Sequence, residues 1–228
     1  MKDVIVCTYA THRQHMIDEY EDRLAAAEID FHIEPVTLAD GIGSVTARWK
    51  FEYMRRMAER FSEYERIVFT DAWDVLFFGS KADLLPQIPA NFLVSAERNC
   101  WPEGDLAAQI ESDSAWKFCN AGMSCGSPER ILEWIQGAMK CADLDLMEQV
   151  WFNRRLVDGA WPVWLDWGTS IFYTVSYDRE AGELGIVDGK LVNTRYDSRP
   201  QFFHFAGPCS SVSFRAMLRT GKPLCASA

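Results

Sequence analysis

Arg66-Ile67-Val68-Phe69-Thr70-Asp71-Ala72-Trp73-Asp74-Val75-Leu76-Phe77-Phe78 reads as a buried strand that delivers two carboxylates to its carboxyl end. In a regular strand Asp71 and Asp74 would point to opposite faces, so the chain must turn at Ala72-Trp73 for both to reach one centre. Two carboxylates held close in a partly dry site repel each other, and one must protonate unless a cation neutralises them. Oxygen-rich sites of this kind suit Mg²⁺ or Mn²⁺, which keep water or substrate phosphate as further ligands. The plainer alternative is that Asp71 caps a turn and Asp74 is a solvated loop residue, since short motifs match by chance.

The surrounding composition is that of a folded enzyme-sized unit. The chain has 228 residues, 48% of them hydrophobic and 25% charged, enough for one substantial core in a single domain. No apolar run approaches the length of a membrane span, and Met1-Lys2-Asp3 leads straight into the strand-like Val4-Ile5-Val6-Cys7, without the apolar region of a signal peptide. Seven cysteines lack zinc-like pairing; Cys119 and Cys125 are expected to pack, and reduced thiols point to a cytoplasmic setting. The net charge of −10 disfavours a protein built to grip a nucleic-acid backbone, though it leaves room for a local basic groove.

Periodicity extends the reading in both directions. Residues 12–28 place Met16, Tyr20, Leu24 and Ala27 at helical spacing, and residues 31–36 alternate like a strand, giving a β-α-β opening. After a Gly-containing break at residues 37–44, a helix over residues 46–62 carries Trp49, Tyr53, Met57 and Phe61 on one stripe. Residues 91–96 read as another strand. Residues 128–140 and 145–157 read as helices, and residues 163–165 and 170–173 as short strands, with a hairpin about Asp188-Gly189. The expected fold is α/β: a mainly parallel mixed sheet flanked by helices, with ligands at strand carboxyl ends. A nucleotide-binding half, about residues 1–100, and an acceptor-binding half, about residues 101–228, are expected within the one domain.

Several segments in order carry a resemblance. They are Ile5-Val6-Cys7-Thr8 with Ala10-Thr11; Trp49-Lys50; Phe69 to Phe77; Ser95-Ala96-Glu97 with Cys100-Trp101-Pro102; Cys119-Asn120-Ala121-Gly122; Glu148-Gln149-Val150-Trp151-Phe152; and His204-Phe205-Ala206-Gly207-Pro208. Together they resemble the glycosyltransferase domain of the procollagen lysyl hydroxylases and related GT-A enzymes, which have a Rossmann-like GT-A fold and use a UDP-sugar with Mn²⁺. The resemblance implies Asp71, Asp74 and His204 as metal ligands, and an imidazole ligand favours Mn²⁺ over Mg²⁺. It implies Trp73 stacked on uracil, Thr8 and Thr11 near the uridine, Lys50 near the nucleotide or its phosphates, and Gly207 against a phosphate.

On the transfer side it implies Glu97 and Asn120 beside the donor sugar, Trp101 as a wall of the sugar or acceptor pocket, and Glu148 as an acceptor-positioning group or base. The motif Asn120-Ala121-Gly122 would leave space beside the transferred sugar. The aspartate run of the family is reduced here to Asp143, Asp145 and Glu148, and the hydroxylase portion has no counterpart in this chain. Read without the resemblance, His204 among Phe202, Phe203 and Phe205 is a packed core histidine, Lys50 a solvated helical lysine, and Asp166 a turn or strand-end residue. Thr8 and Thr11 could equally cap the following helix.

The function expected is metal-dependent transfer of a hexose from a UDP-sugar to a hydroxyl acceptor, with a glycan, a protein side chain and a hydroxylated DNA base as the acceptor classes. Two other readings use the same carboxylates: a metal-dependent phosphohydrolase, and a nucleotide-sugar-binding protein without turnover.

Overall fold

A computed structural model describes residues 2–11, 15–36, 45–175 and 183–206. The chain runs through β1 (Lys2–Ala10), α1 (His15–Ala26), β2 (Asp30–Pro35), α2 (Ala47–Arg60), β3 (Tyr64–Thr70), β4 (Val75–Phe77), the single-turn α3 (Lys81–Leu84) and β5 (Leu93–Glu97). A 3-10 helix (Gly104–Gln109), β6 (Phe118–Gly126), α4 (Pro128–Ala138), α5 (Glu148–Asp158), β7 (Phe172–Thr174), β8 (Leu184–Val187), β9 (Lys190–Asn193) and β10 (Phe202–His204) follow.

The central sheet has the order β2-β1-β3-β6-β5. β1 pairs in parallel with β2 and β3, whereas β6 runs antiparallel to both β3 and β5, so four strands share one direction and β6 opposes them. This is the mainly parallel mixed sheet expected. The step from β1 to β2 goes one way and the return to β3 the other. Right-handed crossovers therefore put α1 and α2 on opposite faces and open a crevice at the carboxyl ends of β1 and β3. The strand β1 is buried from Val4 to Thr8, as a strand covered on both faces must be.

Local signals fix the helices. Thr46 caps α2 by accepting from the Trp49 amide, and Ser127 caps α4 ahead of Pro128 at its first turn. Gly159, in the left-handed region at φ 63°, ends α5. An antiparallel bridge between Thr46 and Met147 holds the amino ends of α2 and α5 side by side. Phe51 of α2 packs edge-on against Trp134 of α4 and Trp151 of α5, closing one face of the sheet.

Two expectations need correction, and one strand was not expected. The stretch 66–78 is two strands in two sheets: β3 belongs to the central sheet, and β4 to a three-stranded sheet of order β4-β10-β7. Residues 163–165 do not form a strand; only Leu165 bridges, in parallel, to Val94, and the chain enters a turn at Trp167-Gly168 two residues later. The central strand β6 was absent from the pattern altogether. Its sequence, Phe-Cys-Asn-Ala-Gly-Met-Ser-Cys-Gly, contains no β-branched residue, yet all nine positions are buried. The hairpin about Asp188-Gly189 is present as β8 and β9. The break at residues 37–44 lies outside the described residues.

Candidate active site

The carboxylates sit where the two sheets meet. Asp71 follows β3 and extends its ladder with β6 by one bond, its amide donating to the Gly122 carbonyl at 2.7 Å. Asp74 precedes β4, and its carbonyl accepts from the Phe205 amide at 2.8 Å, so the β4–β10 pairing carries His204 to the same place. One ligand atom from each of Asp71, Asp74 and His204 falls within 4.8 Å of the others. His204 Nε2 is 3.2 Å from Asp74 Oδ2 and 3.8 Å from Asp71 Oδ2.

Two features hold the imidazole there. His204 is 3% exposed, and its Nδ1 is 2.9 Å from Asn120 Oδ1. Gly122 makes room for the ring: a Cβ at that position would lie 2.3 Å from His204 Cε1 and 2.8 Å from Asp71 Oδ2. Burial pushes the His204 pKa down, but Asp74 first, then Asp71 and Glu97, raise it above the ordinary value. The slot between the imidazole and the carboxylates thus calls for positive charge, a proton or a cation. The donor set of two carboxylates and one imidazole fits a divalent ion of the Mn²⁺ type.

Lys50 lies behind this group. It is 2% exposed in the first turn of α2, with Nζ 3.3 Å from Asp71 Oδ1 and 5.1 Å from the centre of the Tyr9 ring. The plain reading of Lys50 as a solvated helical lysine is therefore corrected. Burial alone would lower its pKa; Tyr9, Asp71 and Glu148 raise it well above that of a free lysine, so it stays charged. Glu148 opens α5, and its Oε2 is buried without a hydrogen-bond partner among the described residues. Burial raises the Glu148 pKa to about 7, with Lys50 pulling it down and Asp71 pushing it up.

The other expected residues distribute around this centre. Trp73, in the turn between the two aspartates, is 37% exposed. Thr11 is exposed beyond the end of β1, whereas Thr8 is fully buried and donates its hydroxyl proton to the Thr70 carbonyl at 2.7 Å, a brace between β1 and β3. Glu97, at the carboxyl end of β5, is 3% exposed and accepts from Gln149 Nε2, which also donates to the Trp101 carbonyl at 3.1 Å. The Trp101 side chain is half exposed. Gly207 lies outside the described residues.

Asp166 is drawn elsewhere. Its carboxylate accepts from the amides of Ser170, Ile171 and Phe172 at 2.8 to 2.9 Å, fixing the start of β7. Tyr9 and Gln149 went unrecognised in the sequence. No local pattern singles out Tyr9 within β1, and Gln149 offers only its position beside Glu148.

Comparison with known proteins identifies the family. The family model described as the PLOD GT domain matches residues 1–214. The proteins named multifunctional procollagen lysine hydroxylase and glycosyltransferase LH3 from Pongo abelii and Homo sapiens are each 29% identical over 176 residues, 73% of this chain. The match spans only 23% of the length of those relatives. A solved structure, a glycosyltransferase involved in the glycosylation of the major capsid of PBCV-1, superposes with a TM-score of 0.52. That match covers 95% of this chain and 98% of the other at 10% identity, a likeness of fold.

Proposed function

The chain belongs to the PLOD GT domain family of glycosyltransferases, and on that premise we propose that it transfers a hexose from a UDP-sugar to a hydroxyl acceptor with the help of a divalent cation, Mn²⁺ or Mg²⁺. The observation that carries this reading is the convergence of Asp71, Asp74 and His204 at the crevice beside β1 and β3, with an exposed tryptophan between the two aspartates. A divalent ion there would supply charge stabilisation to a nucleoside diphosphate as it departs.

The chain's own residues divide the remaining work. Asp71 and Asp74 hold the ion and His204 completes its protein ligands. Trp73, 37% exposed in the turn between the two aspartates, offers an indole face on which uracil stacks. Thr8, fully buried in its brace to Thr70, is set aside from the nucleotide; Thr11 and Gly207 border it, and Lys50 supplies a fixed positive charge behind Asp71. Glu97 and Trp101 shape the donor-sugar and acceptor side, and Asn120 borders it from beside His204. Glu148, with a pKa raised to about 7, can both accept and release a proton near neutrality, which suits a group that positions or deprotonates an acceptor hydroxyl. In this reading residues 1–100 mainly receive the nucleotide and residues 101–228 the acceptor. The five described cysteines are free thiols, which supports a reducing, cytoplasmic setting.

Release of UDP from a panel of UDP-sugars, with Mn²⁺ and with EDTA, tests the reading, with Asp74→Ala as control. The expected result is metal-dependent release from one donor by the wild type and none by Asp74→Ala. Turnover of phosphate esters without any sugar acceptor would mark a phosphohydrolase instead. Metal-dependent UDP binding with no release, even with hydroxyl acceptors supplied, would mark a binding protein.

A further inference from the structure

We propose that Asn120 acts on His204 rather than primarily on a sugar: it is a positioning residue that fixes the imidazole so that Nε2 presents a lone pair to the cation. The proposal rests on the metal-dependent reading above and adds to it the outer layer of that site.

The orientation of the Asn120 amide follows from its neighbours. The Gly122 amide N–H points at one side-chain atom of Asn120 at 3.0 Å. That atom must be the oxygen, because an NH₂ group there would set donor against donor. The same oxygen lies 2.9 Å from His204 Nδ1. An oxygen already accepting from Gly122 can only accept again, so Nδ1 carries the hydrogen. A neutral His204 then has its free lone pair on Nε2, the atom that faces Asp74 and Asp71.

The backbone that carries this side chain is held in place from the neighbouring strand. The Ser95 hydroxyl donates to the Asn120 backbone carbonyl at 2.8 Å, tying β5 to β6 at the residue concerned. Asn120, Ser95 and His204 are all buried, so no water competes for these bonds. Gly122, two residues on along the strand, is the other wall: a Cβ there would strike His204 Cε1. Asn120 and Gly122 thus form one mould, the first fixing which nitrogen is protonated and the second fixing where the ring lies. Such outer partners typically contribute a 10–100-fold factor in metal affinity.

The test is Mn²⁺ affinity of the full chain, measured without nucleotide or sugar by calorimetry and by the loss of the free-ion electron paramagnetic resonance signal. Asn120→Ala and Asn120→Ser, whose hydroxyl is too short to reach Nδ1, should each bind Mn²⁺ about 10–100-fold more weakly. Asn120→Asp, which keeps an acceptor at the same place, should restore affinity to within about threefold of the wild type. Circular dichroism establishes that each variant is folded. A folded Ala or Ser variant with wild-type Mn²⁺ affinity, altered only in its response to UDP-sugars, overturns the proposal and returns Asn120 to the sugar. A wild-type chain that binds no divalent ion overturns the functional reading as well, so the two failures are distinct.

Discussion

Lys50 Nζ lies 3.3 Å from Asp71 Oδ1, with the lysine side chain 3% exposed and that of the aspartate 34% exposed. The two oxygens of Asp71 are therefore divided: Oδ1 faces the ammonium, and Oδ2 faces His204. The lysine can sit so deep because two carboxylates face it: Asp71, held at the end of β3 by its bond to Gly122, and Glu148, which the Thr46–Met147 bridge brings to the amino end of α2. A buried cation is tolerated only with such compensation, and the carboxylates gain a positive charge that does not leave when a metal does.

Lys50→Met should accordingly destabilise the metal-free protein by about 2 kcal/mol, below the usual cost of breaking a fully buried pair because Asp71 is partly solvated. Mn²⁺ should recover most of that loss by neutralising the same carboxylates. Urea denaturation in EDTA and in Mn²⁺ measures both; a variant as stable as the wild type in EDTA would remove the electrostatic role.

Trp73→Ala should weaken UDP binding by about 1–2 kcal/mol, the scale of one base–aromatic stack, while leaving the affinity for free Mn²⁺ nearly unchanged. The ring is 37% exposed, so truncation opens little cavity. Titrations with UDP and with Mn²⁺ alone check the split, and equal losses in both would mean that Trp73 merely shapes the turn.

Glu148→Gln tests the raised carboxyl pKa. A carboxyl whose pKa rises from 4.5 to about 7 on folding binds its proton more tightly in the native state, so its ionisation progressively destabilises the fold as pH rises between those values. In EDTA the Gln variant should therefore gain Tm relative to the wild type at pH 8, compared with the difference between them at pH 4. A Tm difference that does not change with pH would show that Glu148 ionises normally.

Asp166→Ala should cost about 3 kcal/mol or more, because three backbone amides at the start of β7 lose their acceptor. Mn²⁺ affinity of the folded fraction should be unaltered. A stable variant with impaired metal binding would move Asp166 from the frame of the fold into the site.

Much was legible in the chain. The strand ending in Thr70, the spacing of Asp71 and Asp74, and the amphipathic stripe of α2 are local patterns, because strand and helix periodicity and a tight turn are set by neighbours in sequence. The ordered segments that resemble the family carried Asp71, Asp74 and His204, three residues that the structure brings together. Composition indicated one core.

The tertiary structure decided the rest. It split the 66–78 stretch between two sheets, set β6 against the direction of its neighbours, and buried Lys50 where helical spacing alone left it in solvent. It also joined Asn120, Gly122 and His204, residues up to 84 positions apart. Sequence pattern records which face of an element avoids water, but the protonated nitrogen of a histidine and the charge state of a lysine depend on which distant groups share the dry space, and only the packed chain brings those groups together.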